Sequence, residues 1–177
     1  EIADNAVIDK RGRIAARKGF EVITTDNTPL GSNALTVIHE FERVSGSTEI
    51  LSAGNNKLFK GTTTLTDITP GGYTINDNNW KVVNFNNKAY FFQREQQPVV
   101  YDGTSAVLLS TVSGAAGITS AIYGNEVLSA FGRLWVADVN GDKSTVYWSD
   151  LLIGHDFAGG TSGSINLDKV WPDGYDE

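Results

Sequence analysis

The stretch from Val127 to Asp150 constrains the fold more than any other. Val127-Leu128-Ser129-Ala130-Phe131 is followed by a Gly132-Arg133 turn and then by Leu134-Trp135-Val136-Ala137. A polar tip, Asp138-Val139-Asn140-Gly141-Asp142-Lys143, leads into Ser144-Thr145-Val146-Tyr147-Trp148-Ser149-Asp150. Three short β-branched and aromatic runs, separated by Gly- and Asn-containing turns, specify an antiparallel meander, and no helical period competes with it.

The same plan recurs twice upstream. One unit runs from Glu49 to Gly54, turns at Asn55-Asn56 and continues through Lys57-Leu58-Phe59-Lys60 to the stretch Thr62 to Thr69. The next runs from Trp80 to Phe85, turns at Asn86-Asn87, continues through Lys88 to Phe92, and ends with Pro98-Val99-Val100-Tyr101 and an Asp102-Gly103 turn. Aligning Lys57, Lys88 and Arg133 puts a basic residue after each tight turn, at spacings of 31 and 45 residues. Units of roughly 40–50 residues with about four strands each are the pattern of propeller blades, which bury their faces on one another. The expected fold is therefore all-β, with antiparallel meanders resembling β-propeller blades. Three units fall short of the usual ring of four to eight, so the chain is expected to be a segment of a larger propeller-containing protein. A sandwich that repeats a hairpin is the alternative. Trp80, Tyr90, Trp135 and Trp148 are the expected blade-core anchors.

Three regions follow. Residues 1–45 form an N-terminal segment with a basic turn and leading strands. Asp9 to Gly12 reads as a turn with Gly12 at positive φ, Ile14 to Arg17 as a short helical piece, and Leu35 to Glu42 as a half-buried alternating strand. Residues 46–150 hold the three meander units. Within them, Thr111 to Ile122 is a crossing between blades, packed through small residues. Residues 151–177 form a Gly-rich loop and a C-terminal extension continuing beyond the segment.

Charge and composition remove several function classes. The 177 residues carry a net charge of −7, which disfavours a duplex-DNA binder, since Lys and Arg neutralising phosphates supply most of such affinity. The basic residues Lys10, Arg11, Arg13, Arg17 and Lys18 crowd the first segment, as a solvated hairpin or as a docking patch for an acidic neighbouring subunit. The absence of cysteine excludes disulfides and thiolate metal sites. No apolar run approaches the roughly 20 residues of a membrane-spanning helix, so no membrane insertion is expected. No cofactor fingerprint is present, neither a phosphate loop nor a dinucleotide motif.

Catalytic candidates are few. His39 shares a strand face with Val37 and Phe41, as a half-buried structural histidine would. His155 and Asp156 lie in the Gly-rich loop near Ser149, Thr161, Ser162 and Ser164, but triads are defined by geometry that spacing does not supply. Asp138, Asn140 and Asp142 lack the order of a calcium loop and its closing Glu. An Asn-Gly hairpin turn explains them. The segment through Trp148 matches the Asp-box of sialidase propellers in rough order but not in spacing. Asp67, Asp77, Asp102, Asp142 and Asp150 fall at turns. Tyr73, Trp80 and Trp171 are the candidates for stacking on sugars. No enzyme is expected.

Two end segments carry a family resemblance. Asn5 to Asp9 with Gly12 to Gly19 resembles the opening motif of tail proteins from short-tailed, podovirus-like bacteriophages. Phe131 to Ala137 and Thr145 to Asp150 are similar to their propeller portion, as are Gly163 to Leu167 and Val170 to Asp176. The family is that of the tail nozzle, also called tail tubular or stabilisation proteins. The resemblance covers about two thirds of the chain in patches. It implies a virion component assembled in the host cytoplasm, six copies forming a ring, adaptor and fibre proteins as neighbours, and DNA passing through as non-specific cargo. The alternative function is a propeller-type binding module that recognises a host-surface glycan or a tail fibre protein.

Overall fold

The computed structural model describes residues 6–8, 10, 12–16 and 28–170. They form three four-stranded antiparallel sheets and a two-stranded ribbon. The ribbon pairs β1 (Ala6–Ile8) with β2 (Ile14–Ala16). Residues 14–16, expected to be helical, are thus extended, because a partner strand satisfies their backbone. Gly12 takes the positive φ expected, +75°.

Each large sheet is a meander in chain order. The first holds β3 (Leu35–Glu42), β4 (Thr48–Gly54), β5 (Lys57–Lys60) and β6 (Thr66–Asp67). The second holds β7 (Lys81–Phe85), β8 (Lys88–Phe92), β9 (Val99–Tyr101) and β10 (Ala106–Leu108). The third holds β11 (Gly124–Ala130), β12 (Arg133–Val139), β13 (Thr145–Trp148) and β14 (Gly163–Asn166). Leu35–Glu42 therefore opens the first sheet rather than a separate leading segment. Gly163–Asn166, inside the stretch read as loop, closes the third by pairing with β13. The sheets begin at Leu35, Lys81 and Gly124, 46 and 43 residues apart, a nearly regular blade period.

The tight turns explain why the sequence spacing looked irregular. Asn55-Asn56, Asn86-Asn87 and Phe131-Gly132 are two-residue hairpin loops with both residues at positive φ, the backbone whose twist matches that of the flanking strands. The third turn is therefore Phe131-Gly132, one residue earlier than Gly132-Arg133. Asn86-Asn87 and Phe131-Gly132 join the first and second strands of their sheets, whereas Asn55-Asn56 joins the second and third. Aligning Lys57 with Lys88 thus equated two different strands.

The sheets stack face on face, and β7 lies beside both β3 and β11. The front of each sheet is the face turned toward its successor in sequence, and the back is the other. Phe41, Leu51, Ala53 and Leu58 on the front of the first sheet meet Ala89, Phe91, Val99 and Tyr101 on the back of the second, with Ile75 and Trp80 completing this core. Phe85, Tyr90, Phe92 and Val100 on the front of the second meet Leu134 and Val136 on the back of the third. Short 3-10 turns at Leu109–Thr111 and Ser120–Ile122 bury Leu109 and Ile122 in this second core. The middle sheet is buried on both faces, as a blade within a stack must be.

Candidate functional site

Where the first two sheets meet, charged groups converge. Arg43 follows β3, Glu49 lies on β4, Lys60 on β5 and Tyr101 on β9. Arg43 Nη2 donates to Glu49 Oε2 at 2.8 Å and to the Gly103 carbonyl at 2.5 Å. Tyr101 OH donates to the same carboxylate oxygen at 2.9 Å, and Lys60 Nζ donates to Tyr101 OH at 3.3 Å. Lys60 also sits 5.7 Å from the Tyr101 ring centroid, and Arg43 sits 5.7 Å from that of Phe41. Gly103 is required here, since a Cβ would lie 2.4 Å from the Arg43 guanidinium carbon and its φ is +94°.

The electrostatics fit a fastening rather than a reactive centre. Burial pushes the Glu49 carboxyl up, but the hydrogen bonds from Arg43 and Tyr101 outweigh it and hold the group below its usual range. Burial, then the Glu49 hydrogen bond, pushes the Tyr101 phenol up to about 12. An ionised carboxylate tied to two donors is a poor general base, and a fully buried phenol cannot reach a substrate. Beside the cluster lies a cavity of about 420 Å³ lined by Thr48, Glu49, Ile50, Lys60, Gly61, Thr62 and Thr66.

The loop after β13 is strapped down in the same manner. Arg133 Nη1 donates to the carbonyls of Ser149 and Thr161, and Trp148 Nε1 donates to the Thr161 carbonyl at 3.0 Å. Asp150 Oδ1 accepts from the amides of Leu151 and Thr161 and from the Thr161 hydroxyl, and those amides pull its carboxyl down. Ser149, His155 and Asp156 form no triad. The Ser149 hydroxyl is fully buried, bonded to Leu134 N and Asp150 O. Asp156 Oδ1 accepts from the amides of Ala158 and Gly159, closing a turn. His155 pins its loop to the Thr111–Ile122 crossing through its carbonyl, which accepts from Ala116 N. Burial, then Lys88, lowers the His155 imidazole, which favours its neutral form.

The other candidates are equally engaged. His39 is half-buried with Val37 and Phe41, as alternation predicts, and its Nε2 meets Asn84 Oδ1 at 2.8 Å across the first two sheets. Asp138 pairs with Arg94. Asp142 accepts from the amides of Ser144 and Thr145 and from the Thr145 hydroxyl. These two carboxylates are occupied by turn and ion-pair roles. Among the described residues no group of His, Asp and Glu could hold a metal ion, and no helix is long and apolar enough to cross a membrane.

Trp80 and Tyr90 are buried, at 2% and 1% exposure, so Trp80 is unavailable to a sugar. Tyr73 is half-buried with its hydroxyl on the Gln97 carbonyl. Trp135 and Trp148 differ from the expected anchors. They lie on the front of the third sheet, half-buried, packed on each other with ring centroids 5.4 Å apart. The register that places Leu134 and Val136 inward turns them away from the second core. Of the basic patch, Lys10 and Arg13 are exposed; Arg11, Arg17 and Lys18, like Trp171, lie outside the described residues. The Arg43–Glu49–Lys60–Tyr101 cluster had no sequence signal, because Tyr101 comes from the second sheet and joins the three first-sheet residues only when the sheets stack.

No protein-family model, curated protein or solved structure matches the chain.

Proposed function

We propose that the chain is a structural part of the tail nozzle of a short-tailed bacteriophage, acting in a ring of copies through which DNA leaves. The resemblance at residues 5–9, 12–19, 131–137, 145–150, 163–167 and 170–176 supports its placement in the tail, the adaptor and fibre neighbours and the hexameric ring. The observation that carries the scaffold reading is the use of the polar side chains. Arg43, Glu49, Tyr101, His39 and Asn84 fasten one sheet to the next, and Arg133 and Asp150 fasten a loop to its own sheet. A net charge of −7 suits a conduit that must not retain phosphates. Mass spectrometry of purified particles tests the reading. Peptides of this chain in amounts matching the other tail proteins are expected, and their absence from denatured particles would contradict it.

A binding module is the second reading. The cavity beside Glu49 and Lys60 favours it, since hydroxyl and charged groups on one rim suit a polyhydroxylated ligand. Selective retention on a glycan array, lost in Lys60→Ala, would move this reading to first place.

A further inference from the structure

The turn that leaves β12 carries a chemistry that none of the fastening contacts uses. Asn140 is followed by Gly141, and no other asparagine of the chain precedes a glycine. Asp142 N closes the turn by donating to the Val139 carbonyl at 3.2 Å, with Gly141 at φ +79°. Val139 is 1% exposed, and Asn140 N donates to the Tyr123 carbonyl at 3.0 Å, so the turn is anchored on its first side. Beyond that anchor it stands in solvent. Asn140 and Gly141 are both exposed, and no atom beyond the chain neighbours lies within 4 Å of where a Cβ on Gly141 would sit.

The asparagines of the other tight turns are tied. Asn55 Nδ2 donates to the Pro29 carbonyl and Asn86 Nδ2 to that of Leu152. Asn56 Oδ1 accepts from Asn78 Nδ2, and Asn87 Oδ1 from Val44 N. Each of these four is also followed by a residue whose Cβ obstructs approach to its amide nitrogen, an obstruction glycine lacks. Asp102 does precede a glycine, but its Oδ1 accepts from the amides of Thr104 and Ser105. Among the described residues the Asn140 carboxamide has no hydrogen-bond partner, and the Gly141 N–H has no acceptor.

We infer that Asn140 is a site of self-modification, at which the Gly141 nitrogen attacks the Asn140 carboxamide. The Gly141 amide gives its proton to hydroxide, and its nitrogen bonds to Asn140 Cγ. The Cγ–Nδ2 bond breaks, and Nδ2 takes up a proton and leaves as ammonia. Water then opens the cyclic imide at either carbonyl. Addition at Cγ gives aspartate, and addition at the Asn140 backbone carbonyl gives isoaspartate, in which the chain runs through Cγ. Water and hydroxide are the sole co-reactants. Either product adds a negative charge between Asp138 and Asp142, in a chain already at −7. Isoaspartate also lengthens the backbone next to Asp142, whose carboxylate caps the tip through the amides of Ser144 and Thr145. The modification stands independently of the tail reading.

Peptide mapping by mass spectrometry tests the inference, on the 177-residue chain held folded for days at mildly alkaline pH. The expected result is exchange of amide for hydroxyl at Asn140, in two chromatographic forms, one of them co-eluting with the peptide from Asn140→Asp. Asn140→Gln, whose longer side chain closes an imide far more slowly, should give neither form and no more acidic species on ion exchange. A parallel sample in urea supplies the rate of the open chain. Folded Asn140 should react within about tenfold of that rate, as an exposed turn that opens freely allows, and ahead of Asn55, Asn56, Asn86 and Asn87. A folded chain whose Asn140 reacts more slowly than that limit overturns the inference, since the turn then withholds the Gly141 nitrogen. So does modification that falls first on a tied asparagine, or an acidic species that persists in Asn140→Gln.

Discussion

Trp80 separates packing from polarity in the core between the first two sheets. It is 2% exposed and meets Phe91 edge-on, with ring centroids 6.3 Å apart and planes at 87°. Burying a tryptophan removes about 200 Å² from water, worth about 5 kcal/mol at about 25 cal/mol per Å². Partial collapse around the vacated volume brings the expected loss for Trp80→Ala to about 4 kcal/mol. The indole Nε1–H is buried without an acceptor among the described residues, a desolvation cost of about 1–3 kcal/mol that the native fold carries. Phenylalanine at this position forfeits about 2 kcal/mol of burial but also removes the unpaired donor. Trp80→Phe should therefore fall within about 1 kcal/mol of the native chain, a net of those opposing costs. Urea unfolding followed by far-ultraviolet circular dichroism measures both. Equal, large losses would show that the indole N–H is bonded and that polarity matters at this site. A loss below about 1 kcal/mol for Trp80→Ala would remove Trp80 from the core altogether.

Other consequences are open to the same assay. Trp135→Ala, at a half-buried ring, should cost about 1–2 kcal/mol rather than the full core penalty, while Lys143→Ala at an exposed tip should stay within about 0.5 kcal/mol; equal effects would undo the assignment of faces. Phe131 is 89% exposed yet held at φ +53°, so Phe131→Asn should stabilise by about 1 kcal/mol, and a loss would show that the ring packs. Gly124→Ala should destabilise by more than about 2 kcal/mol, because its Cβ would come within 2.6 Å of the Ala137 carbonyl oxygen and closer still to Val136; a neutral result would mean that the first strand of the third sheet can shift. Burial pushes the Tyr90 and Tyr101 phenols up to about 12, the latter aided by Glu49, against about 10 in the unfolded chain. The folded state therefore holds these protons more tightly. Their contribution is complete below pH about 10 and is lost as pH rises toward 12. Denaturation midpoints should fall across that window, in step with tyrosinate absorbance. A midpoint flat from pH 9 to 12 would show that the phenols titrate freely.

What could be read from the sequence was what two or three adjacent residues decide. Asn55-Asn56 and Asn86-Asn87 announce left-handed turns because asparagine tolerates that backbone and flanking alternation demands a hairpin. Phe131-Gly132 gives no such signal, because phenylalanine seldom adopts that backbone, so the sequence points to Gly132-Arg133 instead. The strand Gly163–Asn166 was hidden because its Gly and Ser content reads as loop, whereas pairing with β13 overrides local preference. Leu35–Glu42 alternates as a strand, but its place in the first sheet has no local mark, since the Asn55-Asn56 turn resembles an opening hairpin and in fact joins strands two and three. Inter-sheet contacts such as Arg43 with Gly103 and His39 with Asn84 span 60 and 45 residues. No spacing rule reaches across sheets, so the fastening cluster became visible only once the stack was formed.

The proposed placement of the chain in a virion tail is tested most directly by immunogold electron microscopy of purified particles, using antibody raised against this chain. Gold confined to the tail is the predicted result. Particles that remain unlabelled, both intact and after denaturation on the grid, would contradict the nozzle assignment and leave the glycan-binding module as the better reading of the same fold.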